Sequence, residues 1–169
     1  MDKQLLKCIA GQFATGVTVV TCGDGQGGIA GLTASSFSSL SLEPPLVLFC
    51  VEYVADSYAH LLREQRFAVH ILADDQVAVA YHFARKGDKS SGADWSLSER
   101  GVPVLNRALA RYECELYRDH EGGDHAIIVG HVIYVEINDK LPNPLLYCRG
   151  KISDVASFGQ VISGHAVAS

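Results

Sequence analysis

Short β-branched and apolar segments, separated by turns rich in glycine and proline, recur along most of this chain and restrict the folds open to it. Their composition predicts strands at residues 16–22, 29–34, 46–52, 66–72, 111–118, 126–137 and 145–148. Helical spacing predicts helices at residues 3–13, from Asp56 or Ser57 to Gln65, and from Asp74 or Asp75 onward. Because strands outnumber helices, the pattern favours a mainly β protein with helices, a decorated β-barrel, over a βαβ sheet.

The composition limits the class of protein. The chain has 169 residues, 48% hydrophobic and 20% charged, which fits one globular domain. We assign residues 1–152 to that domain and residues 153–169 to a small, polar C-terminal tail. The net charge is −5 and lysine and arginine do not cluster beyond local pairs, so no nucleic-acid partner is expected. The apolar runs are strand-length and the N-terminus does not resemble a signal peptide, which predicts a cytoplasmic protein without membrane association.

The cysteines predict a reducing environment. Their number, five, is odd, and no two are spaced as a metal-binding CxxC pair. Cys22, Cys50, Cys114 and Cys148 lie in apolar, strand-like segments, which favours buried free thiols in the cytosol. One reactive thiol is the alternative.

Residues 31–37, Gly-Leu-Thr-Ala-Ser-Ser-Phe, place three hydroxyl groups among small side chains, and two prolines follow at positions 44 and 45. Such a stretch lets a ligand approach the backbone and offers N–H and O–H donors without a charged side chain. These features suit a flat ring with polar edges that carries a phosphate. The alternative is a serine-rich turn between two strands.

Gly23, Gly25 and Gly28 have the spacing of a dinucleotide-binding fingerprint and follow a predicted strand. That fingerprint requires a helix to begin at the third glycine, with its N-terminus facing the pyrophosphate. Here the next residues, 29–34, are predicted to form a strand. The three glycines therefore indicate a β-hairpin turn.

Three histidines, His120, His125 and His131, are candidate metal ligands, but their spacings of five and six residues fit neither a helical pair nor a zinc knuckle. No metal site is therefore expected. His125 enters a predicted strand directly after the turn 121–124. A histidine there can hydrogen-bond a carboxamide or transfer a proton, and the alternative is a turn histidine bonded to neighbouring backbone.

Residues 86–102 form one long polar connection, of a kind that is often functional or mobile in compact domains. Arg85, Lys86 and Lys89 lie at its start, where they are suited to bind a phosphate. The alternative is a solvated loop.

Taken in order, these segments resemble the flavin reductase-like family, whose members are often reductase components of two-component flavin monooxygenases. The matching positions are 14–21, 31–37 with 41–45, Ser57, 67–72, 83–84, 123–125 with Gly130, and 145–147 with Gly150. The resemblance covers about residues 8–152. The chain departs from it at Ile152, where similar sequences often have an aromatic residue.

The resemblance implies a homodimeric split β-barrel of Greek-key type with FMN or FAD at the subunit interface. It implies flavin contacts from Thr33, Ala34, Ser35, Ser36 and Phe37, with Ser39 and Cys50 nearby. Ser57, Tyr58 and Lys89 would lie near the phosphate or the ribityl chain. Tyr147 would contribute to the cofactor site from the last strand, and His125 would act on the nicotinamide side as the catalytic residue.

The expected function is that of an NAD(P)H:flavin oxidoreductase. NADH or NADPH would give a hydride to FMN or FAD, and the reduced flavin would pass to a separate oxygenase. The hydride chemistry belongs to the cofactors, which agrees with a sequence that has no conspicuous acid–base pair. The alternatives are a flavoprotein that retains FMN and acts on an organic substrate, and a non-enzymatic flavin- or haem-binding module.

Overall fold

The computed structural model describes residues 1–138, 140 and 143–157. The helices are α1 (Lys3–Ala10), α2 (Asp56–Glu64) and α3 (Val77–Ala84). The strands are β1 (Thr15–Gly16), β2 (Thr18–Gly23), β3 (Ile29–Ala34), β4 (Ser38–Leu42), β5 (Pro45–Glu52), β6 (Arg66–Ile71), β7 (Trp95–Leu97), β8 (Pro103–Leu105), β9 (Ala110–Gly122), β10 (His125–Ile137), β11 (Leu146–Cys148) and β12 (Lys151–Ser153). The prediction of a mainly β protein with helices is confirmed, while most of the predicted tail, residues 158–169, lies outside the described residues.

Seven strands form one antiparallel sheet in the order β3-β2-β6-β9-β10-β5-β4. Strands from distant positions in that order bury side chains in the same cluster, which contains Ala30 of β3, Phe67 of β6 and Phe49 of β5. The rings of Phe49 and Phe67 meet edge-on, with centroids 5.5 Å apart. The sheet therefore curls around a common interior, as in a barrel.

The strand β2 is buried on both faces. Val20 packs into the barrel interior, while Val19 faces a second buried cluster that includes Phe83 of α3 and Leu145. This double burial explains why the β2 sequence is almost continuously apolar or β-branched. The second cluster holds α3 against the barrel and thereby creates the groove in which the candidate site lies.

A smaller sheet, in the order β1-β11-β12, closes one end of the second cluster. Val17 joins it to the main sheet, because its N–H donates to Leu145 and its carbonyl accepts from Leu72, both at 3.0 Å. The last strands of the chain are thereby brought next to β3 and α3.

Residues 85–107, which we call the 85–107 segment, run from the end of α3 across the outer face of the main sheet. The buried Thr21 hydroxyl donates to the carbonyl of Pro103 at 2.6 Å. The backbone N–H of Leu105 donates to the buried ring of His70 at 3.1 Å. This long connection, predicted to be functional or mobile, is thus attached to the barrel by buried hydrogen bonds.

The glycine-rich turn predicted between the first two long strands is confirmed. β2 and β3 pair in antiparallel register from Thr18 with Ala34 to Gly23 with Ile29. Asp24 accepts the N–H groups of Gln26 and Gly28 at 2.7 and 2.8 Å, which closes the turn.

Three local predictions are wrong. The first helix ends at Ala10 rather than at residue 13. Residue 55, not Asp56 or Ser57, is the N-cap of α2, and Gln76, not Asp74 or Asp75, is the N-cap of α3. Neither cap residue makes a side-chain capping bond, so sequence rules that depend on such bonds misplace both starts by one or two residues.

The strands β7, β8 and β12 were not predicted, so the strand at 145–148 is not the last one. The strand β4 was also not predicted. Its serines are typical of a turn, but in the structure Ser38 and Ser39 pair with Leu48 and Val47 of β5 at the edge of the sheet. An edge strand has one unpaired side and tolerates polar residues, which is why β-propensity alone missed it. Among the described residues, no helix is long and apolar enough to cross a membrane.

Candidate functional site

Two adjacent cavities lie along β3 and α3, and Ala84 lines both of them. The first, which we call the α2 cavity, has a volume of about 440 Å³ and lies at the start of α2. The second, the Tyr147 cavity, has about 250 Å³ and lies beside β11 and β12. Together they form a groove with one end near the first turn of α2 and the other at residues 33–35.

The α2 cavity contains features that favour an anion. The helix α2 has nine residues, and its N-cap, Ala55, provides no side-chain cap for the first N–H groups. Ser57, in the first turn, is 5% exposed and lines the cavity. The cations Arg85, Lys86 and Lys89 line the same cavity. A helix N-terminus next to basic side chains is a suitable phosphate site.

The α2 cavity is not uniformly positive. It is also lined by four carboxylates, Asp24, Glu52, Asp56 and Asp88. These carboxylates balance the cations, so anion binding there depends on position rather than on net charge.

Lys89 is the most buried of the three cations, with 8% of its surface exposed. Its ammonium group donates to the carbonyl of His82 at 3.0 Å and to the carbonyl of Arg85, and it lies 5.9 Å from the centre of the Phe83 ring. Burial lowers the pKa of this ammonium group. Two of its three N–H groups thus close the C-terminus of α3, which leaves one for a ligand in the cavity.

The Tyr147 cavity brings together four residues predicted for the flavin site, Thr33, Ala34, Ser35 and Tyr147. The Thr33 hydroxyl donates to the carbonyl of Ala80 at 2.6 Å, so it can offer a ligand only its oxygen lone pairs. The lining is mostly apolar and includes Val17, Tyr81, Gly150 and Ile152. Such a wall suits a flat ring whose polar edges meet backbone groups.

Other residues of the predicted motif lie just past this cavity, on the connection from β3 to β5. Ser36 accepts the N–H of Cys50 through its hydroxyl oxygen at 2.9 Å, which ties the motif to β5. Phe37 packs against Tyr112, with ring centroids 5.6 Å apart. Ser39 is exposed and pairs with Val47 in β4. The structure therefore separates the motif into a cavity wall at residues 33–35 and an attachment at residues 36–39.

His125 is the first residue of β10 and follows a two-residue turn in which Gly123 has φ 77°. Its Nδ1 atom lies 2.6 Å from the Asp124 carboxylate, which lowers the pKa of that carboxyl group. Across the sheet it is paired with Glu52, one of the residues that line the α2 cavity. The histidine thus lies next to the rim of this cavity, on the same side of the sheet as Glu52.

Tyr58 points away from both cavities. Its hydroxyl donates to Asp119 at 3.2 Å, and its ring meets the ring of Tyr53 edge-on at 5.2 Å. The structure therefore places Ser57 and Lys89 in one cavity, whereas the neighbouring Tyr58 contacts β9 near the turn of the β9–β10 hairpin. No group of three metal-ligating side chains occurs in the part of the chain that the structure describes.

Sequence reasoning missed two features of the site. The stretch 31–37 was interpreted as letting a ligand approach the backbone, but at Gly31 a Cβ atom would overlap the carbonyl oxygen of Val20 and touch the ring of Phe83 at 3.0 Å. That space belongs to packing between β2 and α3. Sequence reasoning also missed that Glu52 lines the α2 cavity opposite His125. Only the pairing of β5 with β10 reveals this position.

The comparisons with known proteins agree with this geometry. The family model for the flavin reductase-like domain matches residues 10–156. A reductase subunit of a flavin-dependent monooxygenase, HsaB from Rhodococcus jostii, is 40% identical over 157 residues, which is 92% of this chain and 79% of that protein. An FMN reductase (NADH), SmoA from Agrobacterium fabrum, is 40% identical over 140 residues, 83% of this chain and 79% of that protein.

A solved structure extends the similarity to three dimensions. The NADH:FAD oxidoreductase SgcE6 from Streptomyces globisporus superimposes with a TM-score of 0.83 at 39% identity, covering 89% of this chain and 92% of that one. The chain therefore belongs to the flavin reductase-like family, and the predicted split-barrel fold is confirmed.

Proposed function

We propose that this protein is a cytoplasmic NAD(P)H-dependent flavin reductase that supplies reduced FMN or FAD to a separate monooxygenase. The observation that carries the proposal is the groove made by two adjacent cavities, the α2 cavity and the Tyr147 cavity, which share Ala84. One end offers an uncapped helix start and buried Ser57, and the other offers a mostly apolar wall. A molecule with an apolar ring and a phosphate-bearing chain fits this division. The names of the relatives support the same reading.

The flavin's redox chemistry is its own, since its ring accepts a hydride from the reduced nicotinamide. The chain's residues supply binding and orientation. In this proposal Thr33, Ala34 and Ser35 contact the ring edge, while Ser57 and Lys89 hold the phosphate. Holding two rings face to face at reacting distance accounts for much of the rate enhancement in such a bimolecular transfer.

His125 is proposed to orient the nicotinamide. When its Nδ1–H donates to the Asp124 carboxylate, the neutral ring leaves Nε2 as an acceptor. The nicotinamide carboxamide has an NH₂ group that such an acceptor can bind. Asp124 would then fix the direction of the ring, as the orienting group of a functional histidine does.

A homodimer is proposed because α1 leaves an apolar face uncovered. Leu5, Leu6 and Ile9 are 57%, 53% and 61% exposed, and Phe13 is 77% exposed. The helix is nevertheless attached at its end, where Arg149 donates its N–H to Gly11 at 2.7 Å. A fixed helix with an apolar outer face is best explained by burial against a second copy, and isologous pairs are the commonest assembly.

Steady-state kinetics test the proposal most directly. NADH and NADPH, each crossed with FMN, FAD and riboflavin, should show oxidation at about 340 nm that depends on added flavin. We expect NADH to be the better donor, because the relatives named for a nicotinamide use NADH. Absence of oxidation with every pair would overturn the proposal.

Gel filtration and binding measurements, together with these kinetics, separate the alternatives. A flavoprotein that keeps its FMN would elute from gel filtration with stoichiometric yellow colour, and added flavin would not raise its rate. A binding module would take up flavin or haem tightly without steady-state turnover. A released flavin, by contrast, should reduce a separate oxygenase or cytochrome c through free diffusion.

A further inference from the structure

A network of hydrogen bonds centred on Ser90 adjoins Lys89 in the 85–107 segment. The N–H of Ser90 donates to the Asp88 carboxylate at 2.9 Å. Its hydroxyl oxygen accepts the N–H of Ile29, the first residue of β3, at 3.3 Å. Its carbonyl accepts the indole N–H of Trp95 at 3.2 Å. Ser90 is therefore held from three directions, immediately beside a cation of the α2 cavity.

Trp95 connects this network to the barrel. Its side chain packs against the buried cluster that contains Phe83, and its backbone pairs with Leu105. Leu105 in turn donates to the buried His70. The core thus fixes the Trp95 ring, and the indole N–H donates to Ser90. The turn that contains Ser90 also contributes Asp88 and Lys89 to the wall of the α2 cavity.

The Asp88 carboxylate supports the same turn. It accepts the N–H groups of Ser90 and Ser91 at 2.9 and 3.1 Å, as well as the Ser91 hydroxyl. These hydrogen bonds lower its pKa to about 2. The carboxylate is therefore engaged with backbone donors within the turn.

We propose that Trp95 is a positioning residue for the phosphate of the flavin, because its indole N–H holds Ser90 and thereby sets Lys89 in the wall of the α2 cavity. This inference rests on the proposed function and adds to it a residue that does not line the cavity. A turn that is ordered before the ligand arrives does not have to be ordered on binding, which preserves affinity for the phosphate.

Trp95→Phe tests the proposal, because it keeps an aromatic ring in the cluster and removes only the N–H donor. Affinity for FMN, which carries the phosphate, should fall about three- to tenfold, the range expected for one lost hydrogen bond. Affinity for riboflavin, which lacks the phosphate, should not change. Ser96→Ala is the matched control. It removes an exposed hydrogen bond to Asn106 within the same segment, and it should leave both affinities unchanged.

Hydrogen exchange gives a second readout in the free protein. The amides of residues 86–92 should exchange faster in Trp95→Phe than in the unchanged protein, and those of β6 should not. Trp95 is also the only tryptophan in the sequence, so its indole N–H gives a single resonance. That resonance should shift when FMN is added and shift less with riboflavin.

The outcomes separate the two proposals. If FMN and riboflavin affinities fall equally in Trp95→Phe, the residue is merely structural and the inference is overturned. Unchanged FMN affinity together with unchanged exchange at residues 86–92 overturns it as well. If the unchanged protein reduces neither FMN nor riboflavin, the proposed function fails instead. The exchange measurement still decides whether Trp95 orders the turn.

Discussion

The ring of His70 accepts a hydrogen bond from the backbone N–H of Leu105 at 3.1 Å, while its Nδ1 donates to the carbonyl of Val19 at the same distance. These two bonds require the neutral ring with its proton on Nδ1. The side chain is completely buried, and its burial lowers the pKa to about 4. Arg111, opposite His70 on β9, contributes to this lowering of the pKa, and Glu113 lies two residues along the same strand.

The buried His70 predicts a loss of stability in mild acid. The unfolded chain binds a proton on this ring near pH 6.5, whereas the folded protein binds it only near pH 4. Its contribution is therefore complete above about pH 6.5 and is lost progressively as the pH falls toward 4, by about 3 kcal/mol in all. Urea unfolding at several pH values should show this slope. His70→Asn should be less stable at pH 7 and should have a smaller slope between pH 6.5 and 4, and an unchanged slope would contradict the assignment.

Adding a side chain at Gly31 is expected to disturb the packing between β3 and α3. In Gly31→Ala the new Cβ would overlap the Val20 carbonyl and press on Phe83, so β3 and α3 must move apart. We expect a loss of about 1–3 kcal/mol in the free energy of unfolding, together with weaker flavin binding. Gly16→Ala is the control, since its Cβ would meet no atom within 4 Å. Equal effects of both substitutions on the thermal midpoint would contradict this account.

Ser35 and Ser36 should have separable roles. Ser35 lines the Tyr147 cavity, so Ser35→Ala should weaken flavin binding by about 1–2 kcal/mol and leave unfolding unchanged. Ser36 accepts the N–H of Cys50, so Ser36→Ala should also cost about 1 kcal/mol in stability. Flavin titration and thermal unfolding of the two variants check this. If neither variant changes flavin affinity, the motif is a turn and not a binding site.

His125 should affect turnover rather than folding. His125→Asn should lower the rate with NADH about tenfold or more, which corresponds to about 1.4 kcal/mol of barrier, with flavin affinity and thermal midpoint little changed. His131→Asn, on the same strand but opposite Leu46, is the control and should retain the rate. Loss of flavin affinity with an intact rate of hydride transfer would instead place His125 at the flavin.

The uncovered face of α1 predicts that one charge disrupts assembly. Each fully buried apolar side chain of this face contributes about 1.5–3 kcal/mol to association. Ile9→Glu should therefore shift the protein from dimer to monomer in light scattering at micromolar concentration. Gln4→Glu adds the same charge on the same helix and should stay dimeric. A monomeric unchanged protein would contradict the proposed homodimer.

The positions of the strands along the chain could be predicted from the sequence better than the residues that form the site. β3 was predicted with its observed bounds, because a glycine-rich turn marks its start and the serines at 35 and 36 mark its end. The buried free cysteines were correctly predicted at Cys22, Cys114 and Cys148, and burial raises the pKa of the Cys22 and Cys114 thiols to about 12. The prediction is wrong for Cys50, which is only partly buried.

The rest depends on contacts between distant residues. Lys89 was expected beside a phosphate, but its bonds to the end of α3 are set by the path of the 85–107 segment. Tyr58 follows Ser57 directly, yet helix geometry turns it toward Asp119. The role of Ser90 requires Ile29, which lies 61 positions earlier and reaches it only through the folded barrel.

The 85–107 segment is fastened largely through its own main chain, since the carbonyls of Pro103 and Arg107 and the N–H of Leu105 bond partners elsewhere in the protein. Main-chain groups are the same whichever side chain a position carries, proline's missing N–H aside. Substitutions on the exposed side of this segment therefore leave its attachment intact. Such substitutions can adapt the segment to a different flavin or redox partner without changing the barrel beneath it.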